Sequence, residues 1–179
     1  TSGTTGRSKG VVLSNRNVIE SGKAGIVFDN INSDFSLICY LPMAWVGDFA
    51  FSMGLGLQSG MCICCPESSE TLHDDMREIG PSYFFGPPRF FESLLTSVNL
   101  KIDDASSIKR KLFDYFMSIA KENGEKILEN KSVGLVNRIK YFFGELIIYG
   151  PLKNRMGLTK TKVGYTAGEA IGPEIFQFF

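Results

Sequence analysis

MCICCPESSETLHDDMREIGPSYFFGPPRFFESLLTSV, residues 61–98, decides the fold. MCICCPE is a short run of near-continuous apolar character, which suits a strand buried on both faces. TLHDDMREIG then carries apolar residues at helical spacing and ends on Gly, SYFFG is a second aromatic strand, and PPRFFESLLTSV is a helix whose prolines sit in its first turn. Strand, helix, strand and helix in that order predict an α/β layer, with mostly parallel strands flanked by helices.

The same alternation extends both ways. Upstream, GVVL (residues 10–13) is a short β-type run, Ser14 and Asn15 can cap a helix through about Lys23, and FSLICYLPM is a strand ended by Pro42. VGDFAFSMGLGLQSG reads as a helix with small residues on one side. Downstream, Lys109 to Tyr149 turns into long amphipathic helix, with Leu112, Phe116, Ile119 and Leu128 among Lys and Glu. A break near Asn123 and Gly124 makes this a helical hairpin insertion over about 105–155. Residues 162–179 restore a strand, Val163 to Thr166, and a helix started by Pro173.

The chain has 179 residues, 44% apolar and 21% charged, enough for one packed domain. Lys plus Arg equals Asp plus Glu, at 19 each, so no global positive field holds nucleic acid. No apolar run is long enough to span a membrane and no signal segment opens the chain, which predicts a cytoplasmic protein. Cys39, Cys62, Cys64 and Cys65 sit among apolar residues and lack the paired spacing of a metal site, so buried reduced thiols are expected. His73, beside Asp74 and Asp75 on a polar helix start, reads as solvated rather than catalytic. The first residue lies inside a Gly-rich loop and PEIFQFF stops as a helix is starting, so a piece of a longer protein is expected.

That loop is TSGTTGRSKG, Thr1 to Gly10. Gly3, Gly6 and Gly10 can turn consecutive backbone N–H groups toward an anion. Thr1, Ser2, Thr4 and Thr5 add hydroxyls, and Lys9 adds a cation. A phosphate site or a solvated flexible terminus both fit this composition. A Walker loop does not, because Gly10 rather than Ser or Thr follows Lys9.

The loop resembles that of the adenylate-forming superfamily of acyl-CoA synthetases, luciferases and peptide-synthetase adenylation domains, whose pattern is [ST]-[ST]-G-[ST]-[ST]-G-x-P-K-G. Only Ser8, where Pro is usual, departs from it. VVLSNRNVI is similar to the helix that follows that loop, and YLPMAWVGD to the segment lining the acyl pocket, with Trp45 where many relatives carry His. FFGPPRFFESLL and VGYTAGEAIGPEIF are similar to the long-chain fatty acyl-CoA synthetases in particular.

The resemblance implies that Thr1, Ser2, Gly3, Thr4, Thr5, Gly6 and Lys9 hold the ATP phosphates, with the Thr1 hydroxyl near Mg²⁺. It implies that Gly168, Glu169 and Ala170 lie against the adenine, and that Trp45, Val46, Gly47 and Phe49 line an acyl pocket where Gly47 leaves room. Residues 1–179 would then be an incomplete part of an N-terminal AMP-binding domain, inactive by itself. The later Tyr-Gly-x-Thr-Glu segment and the C-terminal domain are absent from these residues. The implied substrates are a fatty acid, ATP and CoA, and no side chain here is implied as a nucleophile.

Other readings stay open. Glu169 near a helix start can simply meet the helix dipole, and the apolar strand end can be plain core. Amino-acid adenylation would need an Asp near the acyl pocket, for which Asp48 is the only acidic residue in YLPMAWVGD. Luciferase-like oxidation and a non-catalytic binding module are the remaining alternatives. Lys109, Arg110 and Lys111 open an amphipathic helix that suits either a solvated face or peripheral membrane contact. Oligomeric state is undetermined by these residues.

Overall fold

The computed structural model describes residues 10–129 and 131–179. They divide into two compact units, one running to Phe85 and taking in Lys160–Gly164, the other made of Gly86–Thr159 and Tyr165–Phe179.

The first unit holds the sheet. Its strands are β1 (Ser36–Ile38), β2 (Cys62–Cys64), β3 (Tyr83–Phe85) and β4 (Val163–Tyr165), in the spatial order β2-β1-β3-β4 and all parallel. Ser36 lies opposite Cys62, Ile38 opposite Cys64, and Leu37 opposite both Ile63 and Tyr83. Leu37, Ile38, Tyr83 and Phe84 are almost fully enclosed, as central parallel strands require. At the amino end the Ser36 and Ser82 hydroxyls each accept the other residue's backbone N–H, at 2.8 and 3.2 Å. That exchange satisfies two amides just where the ladder begins.

Helix α1 (Asn15–Asp29) starts on a reciprocal cap, the Ser14 hydroxyl accepting the Asn17 N–H while Asn17 Oδ1 accepts the Ser14 N–H. It runs past Lys23 and stops at Asn30, which takes a left-handed φ of 51°. The expected helix after β1 forms as α2 (Val46–Phe49), a π-helical stretch (Ala50–Gly56) and α3 (Leu57–Ser59). Its small residues let it approach α1 closely: a Cβ on Gly22 would sit 2.4 Å from the Gly54 carbonyl oxygen. Helix α4 (Leu72–Ile79) buries Leu72 and Met76, and ends at Gly80 with φ +59°.

Three sequence expectations are corrected here. GVVL is not a strand; Val12 is 97% exposed, because β propensity needs a paired neighbour to pack against. β2 is not buried on both faces, since it stands at the edge of the described sheet and leaves Cys62 exposed. β1 is shorter than FSLICYLPM, ending at Ile38.

The second unit is helical. Helix α5 (Pro88–Asp103) has Pro87 at its cap and Pro88 in its first turn, and buries Leu94 and Val98 against Met156 of α8 (Gly150–Met156). Helix α6 (Ser107–Leu128) runs straight through Asn123 and Gly124, correcting the expected break. The turn comes later, before α7 (Leu135–Gly144), which continues as a second π-helical stretch (Glu145–Tyr149). The hairpin is held by a cluster of Phe116, Ile119 and Tyr149, with Tyr149 Oη donating to the Phe116 carbonyl. Helix α9 (Pro173–Phe178) lies beyond β4, and Phe179 meets the Phe91 ring edge-on at 5.1 Å. Among the described residues no helix is long and apolar enough to cross a membrane.

Candidate functional site

In a parallel sheet the loops leaving the carboxyl ends of the strands are where ligands are met. β1 is followed by Cys39 and Tyr40, and the chain leads through Pro42 to Trp45, Val46 and Gly47 at the start of α2. Trp45 and Val46 are exposed, whereas Phe49 is half-buried. The room expected beside Gly47 is taken by an aromatic ring, since a Cβ there would lie 2.6 Å from Phe85 Cε1. Phe85 is held in turn by Phe51, with ring centroids 4.8 Å apart, and Phe51 also meets Tyr83 at 5.6 Å. Residues 83 and 85 share a face by strand alternation. Sequence reasoning missed Phe85, although that alternation in SYFFG was the available signal.

Asp48 is buried, 6% exposed, within this apolar setting. Burial pushes its carboxyl up, and a hydrogen bond from the Leu41 backbone pulls partly back. The Ser52 hydroxyl donates to the Asp48 backbone carbonyl at 2.6 Å, closing the first helical turn. Burial first, and the Asp48 charge second, push the Cys39 thiol up to about 12 and raise the Tyr40 hydroxyl as well. Tyr40 stacks flat on Phe84 at 6.0 Å. Burial thus disfavours the Cys39 thiolate, which suits a packing group better than a nucleophile.

Cys62 and Cys64 bring their sulfurs to 3.7 Å, and burial pushes the Cys64 thiol up to about 11. Among the described residues no group of three or more His, Cys, Asp or Glu is placed to hold a metal ion. His73 is exposed in the first turn of α4.

The residues expected to meet adenine fall in the second unit. Gly168, Glu169 and Ala170 are exposed and lead from β4 toward the Gly172 cap of α9. Gly168 takes φ +103°, which side chains rarely adopt, and a Cβ on it would meet nothing within 4 Å. The backbone there is open on the side where a flat ring could approach. Just before the turn, Thr166 Oγ1 is buried and finds no hydrogen-bond partner among the described residues, an unusual state for a hydroxyl. The Gly86 N–H donates to the Tyr165 carbonyl at 3.0 Å, tying the segment before Pro87 and Pro88 to the end of β4. Thr1, Ser2, Gly3, Thr4, Thr5, Gly6 and Lys9 lie outside the described residues.

Comparison with known proteins adds what geometry alone does not carry. Residues 1–179 match the family described as AMP-binding enzyme. The chain is similar over its whole length to long-chain-fatty-acid–CoA ligase heimdall of Drosophila melanogaster, 27% identical over 184 residues that make up 27% of that protein. It is likewise similar to long-chain-fatty-acid–CoA ligase ACSBG2 of Gallus gallus, 25% identical over 186 residues and 24% of that protein. The human ligase ACSBG1 shares 23% identity over 186 residues, 25% of its length. The chain thus spans about a quarter of the length of the curated relatives it matches. No solved structure matches it.

Proposed function

Because the chain belongs to the AMP-binding enzyme family, we propose that it serves an ATP-dependent ligase that activates a long-chain fatty acid and passes the acyl group to CoA. A carboxylate oxygen is a poor leaving group. In the first step that oxygen bonds to the α-phosphorus of ATP and pyrophosphate departs; in the second the CoA sulfur bonds to the acyl carbon and AMP departs.

The observation that carries the reading is TSGTTGRSKG, whose hydroxyls, glycine N–H groups and Lys9 supply the donors a departing pyrophosphate needs. Relatives named as long-chain-fatty-acid–CoA ligases over the full length of the chain support the substrate class. Mg²⁺ would neutralise phosphate charge, and the hard hydroxyl oxygen of Thr1 suits that ion. Gly168, Glu169 and Ala170 would take the adenine, with the unpaired Thr166 hydroxyl beside them as a donor or acceptor for the base. Trp45, Val46 and Gly47 would line the acyl entrance, which requires the Phe85 ring to turn aside. Asp48, the acidic residue an amine substrate would need here, is buried rather than presented at the entrance; that favours acids without an amine. The chain would form part of the N-terminal nucleotide-binding domain of a cytoplasmic, peripherally membrane-associated enzyme, with the remaining functions supplied by segments outside residues 1–179.

The test is exchange of labelled pyrophosphate into ATP by the natural-length protein, driven by acids of increasing chain length. Exchange that grows with fatty chain length and collapses in Lys9→Ala supports the reading. Exchange driven by amino acids instead, or none with any acid, sinks it.

A further inference from the structure

Three of the four cysteines crowd into MCICCP, and the fold sets two of them against each other. Cys62 and Cys64 are the two ends of β2, and residues two apart on a strand point to the same face. Their sulfurs stand in contact at 3.7 Å, with Cys62 exposed and Cys64 half-buried. Two strand rises place their Cα atoms about 6.6 Å apart, inside the roughly 4.4–6.8 Å that disulfides span but near its long end. A bridge between them closes without unbuilding the strand, and it draws in the pleat as it closes. Cys65 is no rival partner. The ladder continues past β2 through the Cys39 N–H, which donates to the Cys64 carbonyl at 2.8 Å, so alternation sets Cys65 on the opposite side from Cys64. The contact of the two sulfurs lies within one strand and does not depend on what stands beside the edge of β2.

We propose that Cys62 and Cys64 form a reversible dithiol–disulfide switch, closed by a low-molecular-weight disulfide such as oxidised glutathione and opened by excess reduced glutathione. In the first step the Cys62 thiolate attacks one sulfur of oxidised glutathione, forming a mixed disulfide on Cys62 and releasing one glutathione thiolate. Cys64 then gives up its proton and attacks the Cys62 sulfur, forming the bridge and releasing the second glutathione thiolate. The protein loses two electrons and two protons, and one oxidised glutathione becomes two reduced ones. Burial pushes the Cys64 thiol up to about 11, which keeps Cys64 as the second sulfur to react. A bridge at the long end of the allowed span is readily reduced, which suits a transient switch in a reducing compartment better than a staple. What closure moves is Ile63, which lies between the two cysteines and points to the other face. A Cβ on Gly56 would sit 3.0 Å from Ile63 Cδ1, so Ile63 rests on the π-helical stretch that continues from Gly47 and Asp48. The inference does not depend on the ligase reading, because no acid, ATP or CoA enters its test.

The experiment incubates the full natural chain containing residues 1–179 with glutathione at graded ratios of oxidised to reduced form, blocks free thiols with a maleimide and maps the peptides by fragmentation mass spectrometry. Expected is a link between Cys62 and Cys64, the peptide lighter by two hydrogens, appearing as the oxidised form rises and lost again under excess reduced glutathione. Cys64→Ser should stop at glutathione on Cys62, and Cys65→Ser should close as the parent does. Amide hydrogen exchange should become at least roughly threefold faster in β2 and in Ala50–Gly56 when the bridge is closed. The mass map and amide exchange of the unaltered protein keep the test decisive if a variant fails to fold. Cys62 and Cys64 labelled equally at every glutathione ratio would overturn the proposal, and that is also the result if another segment shields them. A link made to Cys39 or Cys65 instead overturns it too, as does a bridge that survives excess reduced glutathione, which would be a staple. Amide exchange that is the same in both forms leaves no switch and likewise ends the proposal.

Discussion

At the scale of single residues, Gly47 and Asp48 are adjacent and under opposite constraints. Gly47 is small because the Phe85 ring occupies the place of its Cβ, and Phe51 limits where that ring can go. Gly47→Ala should therefore cost about 1–3 kcal/mol by overpacking, read as a lower urea midpoint; Phe85→Leu in the same chain should return most of it. A Gly47→Ala protein as stable as the parent would mean that Phe85 moves freely. Asp48 is constrained by charge. Its carboxyl is raised above the ordinary value of 3.8, chiefly by burial, so folding favours the protonated form. Its contribution is fully present below that ordinary value and is lost as pH rises through the raised one. Asp48→Asn should then be more stable than the parent at pH 7, with the gap closing as pH falls toward 4, measured by denaturant melts across that range. A gap that widens on acidification would reverse the sign and overturn the burial argument.

At the scale of elements, what was legible in the sequence was whatever depends on neighbours in the chain. The prolines at the start of α5, the Ser14 cap of α1 and the alternation of strands with helices all act locally, and each takes its expected place. The break expected at Asn123 and Gly124 failed because a distant group decides it. Asn123 is buried, donates to the Ile119 carbonyl at 2.9 Å and accepts from Asn137, so its side chain supports the helix instead of ending it. A glycine in a helix interior costs only about 1 kcal/mol relative to Ala, which the hairpin core absorbs. GVVL failed in the other direction, having strand composition without a strand to pair with. The hairpin reading makes a measurable statement. Asn123→Ala should lower stability by about 1–3 kcal/mol, because the Asn137 amide loses its acceptor, while Asn137→Ala should cost less, since Asn137 is only half-buried. A double-mutant cycle by urea unfolding should return a coupling of about 0.5 kcal/mol or more between them. Strict additivity would show that the 3.3 Å bond does not join α6 to α7.

At the scale of the whole molecule, the candidate site reads from the sequence as motifs and not as a place. TSGTTGRSKG and VGYTAGEAIGP name chemistry through residue type and spacing, whereas the filling of the Gly47 space by Phe85 and the unpaired Thr166 hydroxyl arise from side chains far apart in sequence. The surface makes a related point. Val27 and Phe28 of α1 are 76% and 80% exposed and border an open depression with Glu20, Lys23 and Ala24, and further large apolar groups are exposed at Val12 and along α7. Apolar exposure on that scale marks surfaces that need covering, and the relatives are about four times as long as this chain. Residues 1–179 expressed alone should consequently associate, scattering light at low micromolar concentration and binding a hydrophobic dye, and should give no pyrophosphate exchange with any acid. On the proposed reading, a protein of the relatives' length that contains these residues should remain disperse and exchange. The two readouts separate the causes: a disperse but inactive 1–179 would place the missing requirement in catalytic groups outside the chain. An aggregated 1–179 that becomes disperse when Val27 and Phe28 are made polar would place part of it in the covering of α1. Exchange by 1–179 alone would overturn the proposed reliance on segments outside these residues, because the residues proposed for phosphate and adenine would then suffice for the first step.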